Sequence, residues 1–441
     1  MIHKIKKAYK SITLPIQDFL KELEISGLLL LVVTLTALIL ANSAYSDAFL
    51  SFWHKEFEFS FDDIKLKMDF HILINDVLMT MFFIVVGGEI KREILEGALS
   101  SRQKAILPII AALGGMIFPA IIYTIFNFGK DSASGWGIPT ATDIAFSLSI
   151  ISLLGKRVPF ALKIFLAALA IADDLGAIIV IAVFYSGNLA WTYLAAGAVM
   201  IAVLIIMNSN KVTNLSLYCL SGLILWYLFF MAGIHPTIAG VIFAIAVPYY
   251  IPNYDEVFKT NLQEVKHSLN QLANDNLQDK LMRGALIEKM QHMTHKMEAP
   301  LHHVLVFLHP ITNYIIMPLF AFANAGVQIT GDAFSNLWSS ISLGIILGLV
   351  LGKSTGITLV SWIAVKLSVA ALPEGVNWKL FYGMAWLAGI GFTMSIFVTG
   401  LAFENKAYTD VAKLAIILGS LVSGVVGYVY LRVVSKISSS G

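Results

Sequence analysis

Charge is what this 441-residue chain has least of. Asp, Glu, Lys and Arg together make up 13% of it, against roughly 25% in an ordinary soluble protein. That shortage excludes a chain solvated mainly by water. The formal charge of +2 supplies no basic field of the kind that draws nucleic acid, so no nucleic-acid partner is expected. A single cysteine, Cys219, excludes a disulfide framework within the chain, and its apolar setting makes it a small core hydrophobe. No Gly-x-x-x-x-Gly-Lys-Ser/Thr phosphate loop is present: Leu351-Gly-Lys-Ser-Thr355 has the ending but lacks the first glycine. Nucleotide-driven work is therefore not expected.

What the chain has in quantity is apolar surface. Hydrophobic residues make up 58% of it, gathered in blocks of about 20, the length a helix needs to cross the hydrocarbon of a bilayer. A membrane barrel would show weaker segments of about 10 alternating residues. The expected fold is an all-α polytopic membrane protein of about twelve transmembrane helices. The spans fall near 25–42, 71–88, 105–126, 137–154, 159–186, 190–207, 216–232, 236–250, 303–325, 338–366, 378–399 and 410–434. Residues 1–24 form an N-terminal segment, 25–250 hold spans one to eight, 301–434 hold spans nine to twelve, and 435–441 form a tail. The polar leader is too long for the n-region of a cleaved signal peptide, so the run 27–41 reads as the first span.

An even number of spans puts both termini on one side. That side receives Lys4, Lys6, Lys7, Lys10, Lys91, Arg92, Arg102, Lys104, Lys156, Arg157, Lys211, Arg432 and Lys436, and the positive-inside rule makes it cytoplasmic. Two stretches do not fit a membrane. Phe57–Met68 alternates apolar and polar residues on each side of Asp62-Asp63, the pattern of an external β-hairpin. Residues 251–300 are polar and nearly charge-balanced, and read as a cytoplasmic helical insert. His292 and His295 within it are expected on solvated helix surface rather than at a metal.

The few charges inside the apolar runs carry the chemistry. Asp173 and Asp174 are adjacent in the middle of span five. Carboxylates at bilayer depth are costly, two side by side repel each other, and such a pair faces a protein interior or a water-filled cavity. Neighbours on a helix point about 100° apart, so the two cannot do the same job. Span four is interrupted at Pro139, followed by Thr140, Thr142 and Asp143. Span eleven is interrupted at Ala388-Gly-Ile-Gly-Phe-Thr-Met-Ser395. Breaks at matching places in two halves point to an ion site of discontinuous helices at mid-membrane. They suggest an inverted-topology repeat of spans 3–5 and 10–12. Lys353, at the centre of span ten, needs a partner; Asp143, Asp173 and Asp174 are the candidates. Glu89 and Glu93, one turn apart at the inner end of span two, suit a cytoplasmic ion entrance or a pH-responsive cluster. His235, His302, His303 and His309 are weaker signals of the same kind.

Carboxylates, the Thr142 hydroxyl, broken-helix carbonyls and water are the hard oxygen ligands a small cation wants. One site that holds either a cation or a proton, exposed alternately to each side, is an exchanger. An intramembrane aspartyl protease also needs buried carboxylates, but from separate helices and in a Gly-x-Gly-Asp context absent here. A cation channel would want a continuous pore lined by carbonyl or charge rings, against which a mid-membrane lysine argues.

Several long motifs carry a family resemblance: Ile74-Asn-Asp76, Phe83–Glu93, Ala141-Thr-Asp-Ile-Ala-Phe146, Leu169-Ala-Ile-Ala-Asp-Asp-Leu-Gly176, Leu319-Phe-Ala-Phe-Ala-Asn-Ala-Gly326 and Gly389-Ile-Gly-Phe-Thr-Met-Ser395. With these the chain resembles the NhaA-type sodium/proton antiporters over nearly its whole length. The resemblance implies a non-enzymatic secondary antiporter in a bacterial inner membrane, exporting sodium or lithium for protons, electrogenic and pH-regulated, without a cofactor. It implies that Asp174 is the main cation and proton carboxylate. Asp173 would join it, or pair with Lys353 and release that lysine when cation binds. Asp143 would balance charge where the broken helices cross, with Thr142 beside it, and Glu89 and Glu93 would lie in the cytoplasmic funnel. The hairpin would join two copies into a homodimer. One departure stands out. The family commonly has Leu-Glu-His before span nine; this chain reads Leu301-His-His303, with His302 where the acid is expected.

Overall fold

Helices account for almost all of the structure. The computed structural model describes residues 25–249, 263 and 299–438, apart from 62, 63, 98, 188 and 330–335. Among the described residues, eight helices are long and apolar enough to cross a bilayer. Three bent pairs pass the same test together, and one shorter apolar helix, Thr237–Ala246, completes the series. The chain is a polytopic all-α membrane protein. The N-terminal lysines and nearly all of the insert at 251–300, with His292 and His295, lie outside the described residues.

In chain order, α1 is Ile25–Ala41. It turns through 117° into α2, Ser46–Trp53, a short helix not foreseen from the pattern. Strands β1 (Glu56–Phe61) and β2 (Ile64–Asp69) follow and pair antiparallel, with Phe57 opposite Met68 and Phe61 opposite Ile64. Then come α3 (Phe70–Leu95), α4 (Arg102–Asn127), α5 (Asp131–Thr140, a 3₁₀ stretch), α6 (Ile144–Leu153) and α7 (Phe160–Phe184). Next are α8 (Trp191–Ser209), α9 (Leu215–Ala232) and α10 (Thr237–Ala246). The second half holds α11 (Pro300–Asn324), α12 (Ser340–Lys366), α13 (Trp378–Leu387), α14 (Phe392–Ala402) and α15 (Lys406–Ser438).

Local chemistry sets the boundaries. The Asn214 side chain accepts from Ser216 N at the start of α9, and Gly233 ends that helix in the left-handed region, φ +78; glycine adopts this at no steric cost. Pro236 then sits just before α10. At ten residues, α10 is shorter than the expected span 236–250. Asn377 caps α13 by accepting from Leu380 N at 2.9 Å.

Two features place the functional residues. First, α4 and α12, the opening helices of the two repeats, touch backbone to backbone. A Cβ on Gly114 would sit 2.4 Å from the Gly356 carbonyl oxygen, and one on Gly356 would sit 2.3 Å from that of Gly114. Only glycine fits at either position. The reciprocity is what a two-fold relation between the repeats produces. Second, α5/α6 bends by 41° and α13/α14 by 49°, and the breaks meet. Asp143 N donates to Ile390 O at 2.7 Å, Ser147 Oγ to Leu387 O at 2.9 Å, and Ser395 Oγ to Ile138 O at 2.8 Å. Backbone groups that the breaks release are thus satisfied across the crossing, as the absence of water in hydrocarbon requires.

Candidate functional site

The site is built on α7, which runs past this crossing. Asp173 and Asp174, 1% and 2% exposed, look into two different environments. Asp173 Oδ2 accepts from Lys353 Nζ in a fully buried ion pair. The Thr142 hydroxyl lies 2.5 Å from the same oxygen and 3.0 Å from Ala388 O, and Lys353 Nζ also donates to it. One repeat therefore supplies the carboxylate and the hydroxyl, and the other supplies the ammonium. Lys353 follows directly on a π-helical turn, Gly348–Gly352, a local widening frequent at functional sites.

Asp174 has no such partner. It borders a cavity of about 50 Å³ that Asp143, Thr393, Glu89 and His309 also line. Among the described residues, Asp174 Oδ1 and Asp173 Oδ1 have no hydrogen-bond partner. A buried carboxylate oxygen without a partner is costly. A proton or a small cation would remove that cost, and the cavity is of the size for an ion and its water.

Asp143 spans the crossing. Its Oδ1 accepts from Phe146 N at 3.2 Å, capping α6. Its Oδ2 accepts from Thr393 N at 3.0 Å and from the Thr393 hydroxyl, at the start of α14. One carboxylate thus faces the amino ends of two half-helices, where the partial charge is positive. Ser420 Oγ supports the same turn by accepting from Gly391 N and Phe392 N at 3.3 and 3.2 Å.

Toward one end of α3, Glu89 Oε1 lies 3.2 Å from His309 Nε2. Glu93 is a turn further along and His302 about two turns from His309 on α11; neither lines the cavity. The histidine beside Glu89 is thus His309, not His302. At the other end of α3 is a second polar cluster. His235 Nε2 lies 3.7 Å from Asp76, His71 Nε2 lies 3.1 Å from Asn324 Oδ1, and Asn324 donates to Asn75 at 2.9 Å.

The structure brings Asp143, Thr142, Asp173, Asp174 and Lys353 to one place, with Glu89 at its edge. Sequence reasoning missed Thr393 and Ser420. Thr393 sits in a quoted motif, two residues after Gly391 of the break, where an amide in the first turn of a half-helix needs an acceptor; that signal was readable. Ser420 had none, since only packing brings α15 against the break.

Broken helices that cross at mid-membrane around buried, partly unpartnered charges define a secondary transporter. The Na+/H+ antiporter 1 family model matches residues 17–431, and the chain belongs to that family. The family is itself a reference case for inverted repeats. The chain is 46% identical over 416 residues to the Na(+)/H(+) antiporter NhaA of Oleidesulfovibrio alaskensis, covering 93% of this chain and 92% of that one. It is 43% identical over 435 residues to NhaA of Helicobacter pylori strain G27, covering 98% of each chain. It is 44% identical over 421 residues to NhaA of Wolinella succinogenes, covering 94% and 92%.

Proposed function

We propose that this chain exchanges cytoplasmic sodium or lithium for protons across a bacterial inner membrane, with both termini cytoplasmic. The observation that carries the reading is the buried Asp174 carboxylate, whose Oδ1 has no hydrogen-bond partner among the described residues, on a small cavity beside the helix crossing. Asp174 holds a proton or a cation but not both, and the competition couples the two fluxes. A cation there takes its remaining ligands from hydroxyl, carbonyl and water oxygens. Asp173 is held by Lys353 between turnovers and joins Asp174 when cation enters, releasing the lysine's proton. Asp143 keeps the crossing neutral against two helix amino ends. Glu89 and His309 line the inner approach and form the pH-responsive cluster, with Glu93 and His302 further out. More than one proton moves per sodium, so membrane voltage contributes about 2.3 kcal/mol per net charge per 100 mV.

Proton flux in energised everted vesicles, challenged with sodium, lithium or potassium from pH 6 to pH 9, tests this. Sodium or lithium is expected to collapse the pH gradient, with an apparent affinity that rises with pH as proton competition weakens. No response to any cation at any pH would overturn it.

The strand pair β1–β2 supports a homodimer built by edge-to-edge pairing between two copies. Removing residues 57–68 is expected to yield monomer in detergent with exchange largely retained. A deletion that remains fully dimeric would contradict the hairpin's role.

A further inference from the structure

Away from the ion site, an apolar groove of about 350 Å³ opens between α1, α6 and α15. Leu35 and Leu38 of α1 form one wall, Phe146 and Ile150 of α6 a second, and Ile417 and Leu421 of α15 a third. Ile390 and Phe392, on either side of the α13/α14 break, form part of its lining, together with Ser420. Leu35 and Leu421 are 51% and 58% exposed, so the groove is entered from the side of the bundle, where the solvent is lipid. One end has a different character. Leu153 lines the groove at the end of α6, and the exposed Lys156 and Arg157 follow within a few residues; Tyr428 lines it on α15, and the exposed Arg432 lies one turn beyond. The segment Gly155–Arg157 packs against α15, the helix that carries Tyr428 and Arg432.

An apolar slot on the side of membrane-spanning helices, with cations following its lining at one end, matches one kind of molecule. We propose that the groove is a binding site for an anionic phospholipid, with an acyl chain along Leu35, Ile150 and Leu421 and its phosphate against Lys156, Arg157 and Arg432. Juxtamembrane lysines and arginines are attracted to anionic lipid by about 1 kcal/mol each, and a bidentate guanidinium–phosphate contact adds geometric preference. The chain so held covers the turn where Ser420 accepts from Gly391 N and Phe392 N. It is a wedge against the broken helix, whose next residues, Thr393 and Met394, line the cavity beside Asp174.

The test uses the purified full-length protein, stripped of lipid in detergent, with thermal unfolding followed after adding phosphatidylglycerol or phosphatidylcholine. Phosphatidylglycerol is expected to raise the melting temperature by several degrees more than phosphatidylcholine. The triple substitution Lys156→Gln, Arg157→Gln, Arg432→Gln should reduce its effect to that of phosphatidylcholine. The pair Leu35→Trp, Leu421→Trp, which fills the groove, should remove most of both effects. Equal stabilisation by the two lipids, or a phosphatidylglycerol effect that survives both sets of substitutions, would overturn the proposal. Photolabelling of the unaltered protein with phosphatidylglycerol carrying a photoreactive acyl chain decides the matter if a variant does not fold. Adducts concentrated on α1, α6 and α15 support the site, and adducts spread evenly over lipid-facing helices such as α8 and α9 overturn it.

Discussion

The two faces of α7 differ more than their adjacent carboxylates suggest. On the Asp173 side one oxygen is held: Oδ2 meets an ammonium and a hydroxyl, drawn from both repeats, while Oδ1 has no partner among the described residues. On the Asp174 side the carboxylate borders a cavity and has an oxygen with no partner. The first arrangement holds structure, and the second leaves a binding demand unmet. A rotation of about 100° along one helix thus separates a clamp from a site. Other parts of the fold follow the same division. In its most apolar stretch α7 is 67% buried, whereas α8, which carries no Asp, Glu, Lys or Arg, is 11% buried.

The largest expected effect breaks the open side. Asp174→Asn should reduce sodium-dependent proton flux to background while the protein still inserts and melts near the wild-type temperature, since no hydrogen bond to the lost carboxylate is found among the described residues. Robust exchange by that variant would sink the assignment. The next effect breaks the closed side. Lys353→Ala leaves Asp173 charged, buried and unpaired, a change that costs about 3–5 kcal/mol in comparable buried pairs. Thermal unfolding should show a marked drop, and adding Asp173→Asn should recover much of it because no unpaired charge remains. Failure of the double variant to recover would mean the pair is not the clamp.

A smaller effect tests the crossing between the two faces. Asp143→Asn weakens caps on two half-helices, and Thr393→Val removes one hydrogen bond of about 1 kcal/mol. Both should lower the melting temperature, the first more than the second, and together they should be less than additive because they share a contact. Strict additivity would argue against that contact. The smallest effect sharpens the comparison at the cavity mouth. Glu89→Gln should displace the pH profile of exchange with little change in its maximum, and Glu93→Gln, which lies off the cavity, should displace it less. The reverse order would move the pH response further out along α3.

How much of this was legible in the chain varies with the range of the interaction. The twin aspartates, Lys353 and the two breaks stand out because charge, proline and paired glycines are rare in apolar runs. The hairpin pairing of residues 56–69 follows from period-2 alternation. What could not be read depended on rotation and packing. By residue chemistry alone, Lys353 had three possible partners; the position of α12 against α4, fixed by Gly114 and Gly356, decides for Asp173. His302 and His309, seven residues apart, share one face of α11, so periodicity does not separate them; the rise of about two turns along the helix sets His309 beside Glu89. The 117° turn into Ser46–Trp53 gave no clear periodic signal over eight residues.

The central claim is that Asp174 exchanges a proton for a cation. It is tested most directly by adding sodium chloride to purified, weakly buffered protein and counting released protons with a pH indicator, with choline chloride as control. The account predicts release from the wild-type protein and none from Asp174→Asn. Equal release from both would contradict it.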